Sequence, residues 1–331
     1  MRYKGIQGVM ALYQLYNMDC ISGAQQKIDD NSVDLIITDP PFAIEGDRLH
    51  KHYHRKEKYV LNGYQEIALS DYRQFSLNWI KEAERVLRPG GSLYIFSGYS
   101  NLPIIFSALQ NTNFREINHI IWKYNFGVYT TKKFISSHYH ILYCIKPQGQ
   151  VTFNTFTRFG PDEKDAQGKS LNYRDREDVW IINREYKPGQ VKNKNELPSE
   201  LLIKLMQYSS NEADVVADFF LGGFSTAKVS VGLKRRIIGF EINPVSFDYH
   251  IEEMKKLKPG FLLAQIKSGK NASPPNQKKQ WHENELQNLY KRYIQIYTQL
   301  KNKKQTIQIL QDEFGRGYFA ILNQLDRISK K

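Results

Sequence analysis

A chain of 331 residues has room for one large α/β domain with an appendage, or for two modest domains, and its 41% of hydrophobic residues can supply a core. The formal net charge of +13 points to a polyanionic partner, nucleic acid or an anionic surface, and charge alone does not choose between them. Two cysteines, Cys20 and Cys144, exclude a disulfide framework and lack metal-ligand spacing. No run approaches the ~18 apolar residues of a membrane helix. The stretch from Met1 to Leu15 has no apolar secretion core, so a cytoplasmic protein with no membrane partner and no metal is expected.

In chain order, Val33 to Thr38 (VDLIIT) is a short β-branched run closed by Asp39-Pro40-Pro41, which predicts a buried strand ending in a turn. Residues 71–88 predict a helix with Phe75, Trp79, Ala83, Val86 and Leu87 on one face, stopped by Arg88-Pro89-Gly90-Gly91. Ser92 to Ser97, Ile117 to Lys123 and Tyr139 to Ile145 follow as strands. Asp214 to Phe220, the Gly222-Gly223 turn, a helix from Ser225 and the strand Arg235 to Glu241 complete a βαβ unit. Together these predict an α/β fold with a doubly wound, mostly parallel sheet. Two polar segments interrupt it, Ala43 to Ala68 and roughly 150–190, and long polar loops of this kind are functional or disordered. Past Lys258-Pro259-Gly260 the composition turns to Lys, Gln and Asn, and residues 283–304 and 305–328 predict helices with apolar stripes such as Leu286, Leu289, Tyr293 and Tyr297. Ile307, Leu310, Phe314, Ile321, Leu322 and Leu325, with Gly315 between them, loosely suggest a helix-turn-helix, and a helical buttress is the other reading. The organisation expected is therefore residues 1–149 and 191–258 as two halves of one domain, 150–190 as an insertion and 259–331 as a helical extension.

Three stretches carry chemistry. Asp39-Pro40-Pro41-Phe42 stands directly after a strand. An exocyclic base amine is a poor nucleophile because its lone pair is delocalised into the ring. A carboxylate and a backbone carbonyl that accept its two hydrogens draw the nitrogen towards tetrahedral geometry. Proline fixes the carbonyl's position, and an aromatic ring can stack on a base rotated out of the duplex. The plainer reading is a Pro-Pro turn. Asp218 to Thr226 (DFFLGGFST), with Glu241 ending the next strand, has the form of a site for an adenosine-containing cofactor. Glycines admit the ligand, helix N–H groups meet an anion and the acid meets ribose hydroxyls. The alternative there is a tight strand–helix packing turn. Asp19, in Asn17-Met18-Asp19-Cys20, would stand in a loop at the end of a short strand or serve as a helix N-cap.

The sequence resembles the amino-group DNA methyltransferases in the circularly permuted arrangement called the β group, whose catalytic motif precedes the cofactor motif. The resemblance rests on Asn17 to Phe42, the Arg88 to Gly91 turn before a strand, His138 to Tyr143, Asp178-Val179-Trp180, Leu197 to Leu205 and Asp218 to Thr226, in that order. It implies a Rossmann-like methyltransferase fold, S-adenosylmethionine as cofactor and double-stranded DNA as substrate. Asp39, Pro40, Pro41 and Phe42 would be catalytic. Asp19, Cys20, Asp39, Asp218, Phe220, Gly222, Gly223, Ser225, Thr226, Glu241 and Asn243 would surround the cofactor, with Glu241 on the ribose and Asp19 on the adenine amine. Residues 150–190 would read the DNA, with Arg174 and Arg176 as contacts, and the basic loop carrying His50, His52, His54, Arg55 and Lys56 would cover the backbone near the flipped base. A homodimer and a cognate restriction endonuclease belong to the same family habit. An aspartate in first place favours adenine N6 over cytosine N4 by that habit. The chain departs from the family at Gly222-Gly223-Phe224-Ser225, where Gly-Ser-Gly-Thr is usual. If the backbone needs a positive φ at Phe224 it is strained there, and a DNA-binding subunit with a degenerate cofactor site is the competing reading. An RNA or protein amine methyltransferase is disfavoured by the motif order. A cytosine-C5 mechanism is disfavoured because neither cysteine follows a proline.

Overall fold

A computed structural model describes residues 12–42, 67–125, 127, 129, 131–185, 196–266, 276 and 279–328. The basic segment with His50, His52, His54, Arg55 and Lys56 lies outside the described residues. The chain divides into two compact units, Met1–Phe153 with Arg176–Ile266, and Asn154–Asp175 with Lys267–Lys331.

The first unit holds β1 (Tyr13–Asn17), α1 (Cys20–Lys27), β2 (Val33–Thr38), α2 (Leu69–Val86), β3 (Leu87–Ser97), α3 (Leu102–Leu109), β4 (Arg115–Lys123) and β5 (His138–Ile145). In the second unit stands α4 (Leu171–Asp175), and the chain returns to the first with β6 (Val179–Ile181), α5 (Ser199–Ser209), β7 (Val215–Asp218), α6 (Ser225–Gly232), β8 (Arg236–Glu241) and α7 (Pro244–Met254). Among the described residues eight strands form one sheet in the order β1-β8-β7-β2-β3-β5-β4-β6. It is parallel from β1 to β3; β5 runs antiparallel to β3 and β4, and β6 is parallel to β4. The VDLIIT run is buried along nearly its whole length, as a central parallel strand requires.

Alternate residues of the strands feed two cores. On one face Leu35, Ile37, Phe96, Ile141 and Val216 pack against Leu201, Leu205 and Met206 of α5 and Val229 of α6. On the other, Ile36, Leu93, Ile95, Leu142 and Ala217 pack against Ala24 of α1, Trp79, Ile80 and Ala83 of α2 and Ile105 of α3. The sheet is thus covered on both faces, as expected. Among the described residues no helix is long and apolar enough to cross a membrane.

Arg88-Pro89-Gly90-Gly91 differs from its expectation as a turn. The helix ends at Val86, and these four residues begin β3 itself. Gly90 N–H donates to the Lys146 carbonyl and Lys146 N–H to that of Gly91, so the glycine end of the run is laddered to the residue after β5. Gly90 has φ +79°, and a Cβ there would lie 2.3 Å from the Gln150 carbonyl oxygen. That backbone packing explains glycine better than a helix stop does.

The order of strands places the site. β2 connects onward to its neighbour β3, while β7 connects in the opposite direction to β8, and β2 and β7 lie side by side. Such a reversal opens a crevice at the carboxyl ends of the strands, where ligands bind in open α/β sheets. Asp39 follows β2 and Asp218 ends β7, so both face this crevice's mouth.

In the second unit α8 (Glu283–Leu300), α9 (Lys303–Phe314) and α10 (Tyr318–Ile328) share a core of Leu289, Ile296, Ile307, Leu310, Phe314, Ile321 and Leu325. Over 305–328 there are two helices, with Gly315 between them, which caps α9 in the left-handed conformation. In the same unit, the segment before and through α4 is tied by Asn172, which donates to the Thr155 and Phe159 carbonyls, and by the Arg158–Asp175 ion pair at 2.9 Å.

Candidate active site

Thr38, the last residue of β2, points its hydroxyl across the strand pair to Asp218 Oδ1, a contact of 3.3 Å. The Asp218 carboxylate also accepts from Phe220 N–H at 3.0 Å and from the Thr226 side chain. Burial pushes Asp218 up to about 6, against these hydrogen bonds. Asp39, one residue past β2, is pushed further, to about 7, first by burial and then by the Asp218 charge, with Arg184 opposing both. Asp39 Oδ1 is buried and has no hydrogen-bond partner among the described residues. A buried polar atom left so costs roughly 1–3 kcal/mol, the kind of expense found at sites awaiting a ligand.

Phe42 is half-buried, its carbonyl accepts from Asn101 Nδ2, and its ring lies 5.5 Å from that of Tyr139 on β5. Tyr139 continues an aromatic wall, 5.6 Å from Tyr124 and 5.8 Å from Trp122. The Arg184 guanidinium rests on this wall, 4.5 Å from the Tyr124 centroid and 5.3 Å from that of Tyr139. Burial raises the Tyr139 hydroxyl to about 12, so it stays protonated. Pro40 is buried and Pro41 half-buried.

The glycine loop joins β7 to α6. Leu221 N–H donates to the Phe240 carbonyl at 2.9 Å, and Gly222 N–H to Glu241 Oε2 at 2.8 Å. The other Glu241 oxygen accepts from Asn243 N–H at 2.7 Å, and burial raises this carboxyl above its ordinary value. Asn243 caps α7 through Val245 and Ser246 N–H. A Cβ on Gly223 would lie 2.5 Å from a Glu196 oxygen, so the backbone passes against that acid. Phe224 does take a left-handed conformation, φ 59° and ψ 23°. Its ring turns inward, fully buried, 5.7 Å from Phe247 and 5.4 Å from His250. The bulky departure therefore fills a slot beneath α7, while Ser225 starts α6 half-exposed and Thr226 is buried against Asp218. Phe220 packs against Phe75 and Trp79 of α2 at 5.9 and 5.6 Å.

Asp19 is a helix N-cap, its Oδ1 accepting from Ile21 and Ser22 N–H at 3.1 and 2.9 Å. It lies at the carboxyl end of β1, whose Asn17 pairs with Glu241 on β8. Cys20 is buried with its thiol raised far above the ordinary value by burial, and Cys144 is raised to about 12, so neither is a thiolate nucleophile.

Asp39, Asp218 and Thr226 are thus brought together, as are Gly222, Glu241 and Asn243, and Phe42 meets Tyr139. Arg174 belongs to the second unit, where it pairs with Asp165 at 2.8 Å, and Arg176 belongs to the first. The site residues that sequence reasoning missed are Tyr139, Tyr124, Trp122, Asn101, Arg184 and Glu196. Tyr139 and Trp122 were visible only as alternate residues of strands, with nothing to mark the end of the sheet they would reach.

Comparison with known proteins decides the family. A family model described as DNA methylase, covering N6 and N4 enzymes, matches residues 33–253. The chain belongs to this family. It is 32% identical over 286 residues to the type II methyltransferase M.BamHI of Bacillus amyloliquefaciens, a match covering 81% of this chain and 63% of that protein. With the type II methyltransferase M.HpaI of Haemophilus parainfluenzae the identity is 29%, over 72% of this chain and 73% of the relative. In structure, the chain is similar to a Thermus thermophilus protein described as a putative DNA modification methylase and solved with S-adenosyl-L-methionine. That likeness has a TM-score of 0.53 at 21% identity, over 75% of this chain and 96% of the other. The cytosine-N4-specific PvuII DNA methyltransferase matches with a TM-score of 0.53 at 16% identity, over 71% of this chain and 85% of its own. At these identities the structures establish a shared Rossmann-like methyltransferase fold.

Proposed function

We propose that this chain is a site-specific DNA methyltransferase that moves a methyl group from S-adenosylmethionine to adenine N6 of a base rotated out of double-stranded DNA. The buried Asp39 Oδ1 without a partner among the described residues, at the switch point and within reach of the Asp218 charge, is the observation that carries this reading. The loop fits the cofactor. Gly222 and Gly223 bring backbone close, and Glu241, though bonded to two N–H groups, keeps lone pairs for ribose hydroxyls. Bound S-adenosylmethionine would supply an electrophilic methyl group on a sulfonium.

The protein's part is positioning and charge. Asp39 Oδ1 accepts one hydrogen of the target amine and the Pro40 carbonyl the other, which draws the nitrogen lone pair out of conjugation. Phe42 and Tyr139 give the base a stacking surface. On taking a methyl group the nitrogen would have to shed one proton, and the Asp39 carboxylate, which titrates near 7, would be placed to take it. No covalent bond to the enzyme and no metal is needed. Adenine is supported by the aspartate heading Asp39-Pro40-Pro41-Phe42. A restriction-modification setting with a cognate endonuclease is the context we propose from the type II relatives, and a homodimer is proposed on the family resemblance alone.

The test is incubation with tritiated S-adenosylmethionine and unmethylated DNA, followed by digestion and separation of nucleosides. Label in N6-methyladenine, lost in Asp39→Ala, supports the assignment. Label in N4-methylcytosine keeps the mechanism and moves the target base. Absence of both label and cofactor binding would leave a degenerate DNA-binding subunit.

A further inference from the structure

The positive charge of the chain is concentrated at one end. Residues 267–331 hold thirteen Lys and Arg against five Asp and Glu, so most of the net +13 resides in a fifth of the sequence. The helices there carry their own core, with Leu289, Ile307, Leu310 and Ile321 fully buried. Arg316, 3% exposed, locks the bundle: it pairs with Glu285, donates to the Asn276, Lys279 and Gln280 carbonyls, and stacks on Trp281 at 4.3 Å. Here, then, is a folded module, and the described residues of its helices, 279–328, carry eight Lys and Arg against five Asp and Glu.

Two features of its surface point the same way. The first turn of α9 carries Lys303 and Lys304 and no acid, and Lys301 stands just before it, across the N-cap Asn302. Cations at a helix N-terminus oppose the helix dipole and the unpaired N–H groups. Lys301 is offset by the C-terminus of α8 and Lys303 by Asp326 at 3.4 Å, which leaves Lys304 serving no helix dipole. Asn302 caps this end by accepting from Gln305 N–H at 3.1 Å, and a phosphate there would meet the lysines and the N–H groups that the cap leaves. Three residues beyond α9, α10 turns Phe319, Asn323 and Arg327 outward at successive i, i+4 positions, with Phe319 66% exposed, while Ile321 and Leu325 hold the opposite face in the core.

We propose that the second unit is a duplex-DNA-binding module, in which Lys301, Lys303 and Lys304 hold the phosphate backbone and the Phe319, Asn323 and Arg327 face of α10 reads base edges in the major groove. A helix that crosses the backbone followed by a short turn and a reading helix is a common means of groove recognition. Asparagine and arginine present the paired donors and acceptors that distinguish bases there. The inference rests on the methyltransferase reading for its choice of DNA as the polyanion. It adds a second contact surface, distinct from the Asp39 crevice.

The full-length protein tests it. For Lys303→Gln with Lys304→Gln, binding to a mixed-sequence 40-base-pair duplex should weaken ten-fold or more near 0.1 M salt. The slope of log affinity against log salt should flatten by about 2, roughly 0.9 for each lost phosphate contact. For Asn323→Ala with Arg327→Gln, the set of methylated sites in unmethylated genomic DNA should broaden or vanish, with S-adenosylmethionine affinity unchanged. Unchanged duplex affinity, salt slope and methylated sites would overturn the proposal, as would a shift in oligomeric state alone. If the wild-type protein labels DNA while these variants match it, the module inference fails and the enzyme reading stands. If the wild-type protein binds duplex through these residues and transfers no methyl group, the reverse holds.

Discussion

Phe224 offers a sharp test of how the cofactor loop is stabilised. Its left-handed backbone, φ 59°, costs a non-glycine residue about 1–2 kcal/mol. Its ring is 0% exposed, between Phe247 and His250, and truncating a buried phenylalanine to alanine costs about 3–5 kcal/mol. Phe224→Ala loses the ring and keeps the strain. Phe224→Gly loses the ring and the strain, but gives about 0.4–1 kcal/mol back to the unfolded chain's entropy. Phe224→Gly should therefore lie about 2–4 kcal/mol below the wild-type protein, and above Phe224→Ala by about 0.5–1 kcal/mol, the reverse of their ordinary order. Urea unfolding followed by tryptophan fluorescence reports it, since the first unit contains Trp79, Trp122 and Trp180. A glycine variant as stable as the wild-type protein would mean that strain outweighs packing. An alanine variant more stable than the glycine one would mean that the left-handed conformation is wrong.

Three further outcomes follow from the site's electrostatics. Asp39 and Asp218 titrate at about 7 and about 6, above their ordinary 3.8, so the folded chain binds more protons than the unfolded one between about pH 4 and 7, and stability should fall as pH rises through that window. Asp39→Asn should flatten this fall in thermal melts at pH 5 and 8 while abolishing methyl transfer; an unaltered pH dependence would contradict the assignment. Single-turnover transfer by the wild-type protein should fall as pH drops below about 7, where Asp39 takes up a proton, and Arg184→Met should move that midpoint upward, with Arg184→Lys moving it less. Iodoacetamide at pH 8 should leave transfer intact, because Cys20 and Cys144 are buried with raised thiols; rapid inactivation would expose a thiol role that the structure denies.

Much of the sheet was legible because period and punctuation agree. VDLIIT before two prolines could hardly be other than a buried strand, and it is β2 to the residue. Helix boundaries shifted where propensity yields to packing: Arg88 to Gly91 reads as a stop, yet the partner strand and Gln150 draw it into β3. At the site, the residues adjacent in sequence were visible, such as Asp39 to Phe42 and Asp218 to Thr226. Those supplied by distant elements were not. Tyr139 and Arg184 meet Asp39 because the antiparallel β5 and the chain after β6 bring them to the same end of the sheet, and no local signal encodes that meeting. Asp19 illustrates a further limit, since a capping aspartate and a ligand-binding one look identical until its N–H partners are seen.

The Thr38–Asp218 contact joins residues 180 apart in the chain. During synthesis, β2 therefore emerges long before the β7 that will lie against it. Until then one side of a strand that ends up almost wholly buried has only transient cover, and its open edge is a template for unwanted pairing. Closing so long a loop is slow, so the crevice is among the last parts of the first unit to assemble. Chains truncated before Val215 should be aggregation-prone and not merely inactive. This late closure delays competence at the Asp39 crevice until β7 and β8 have been made.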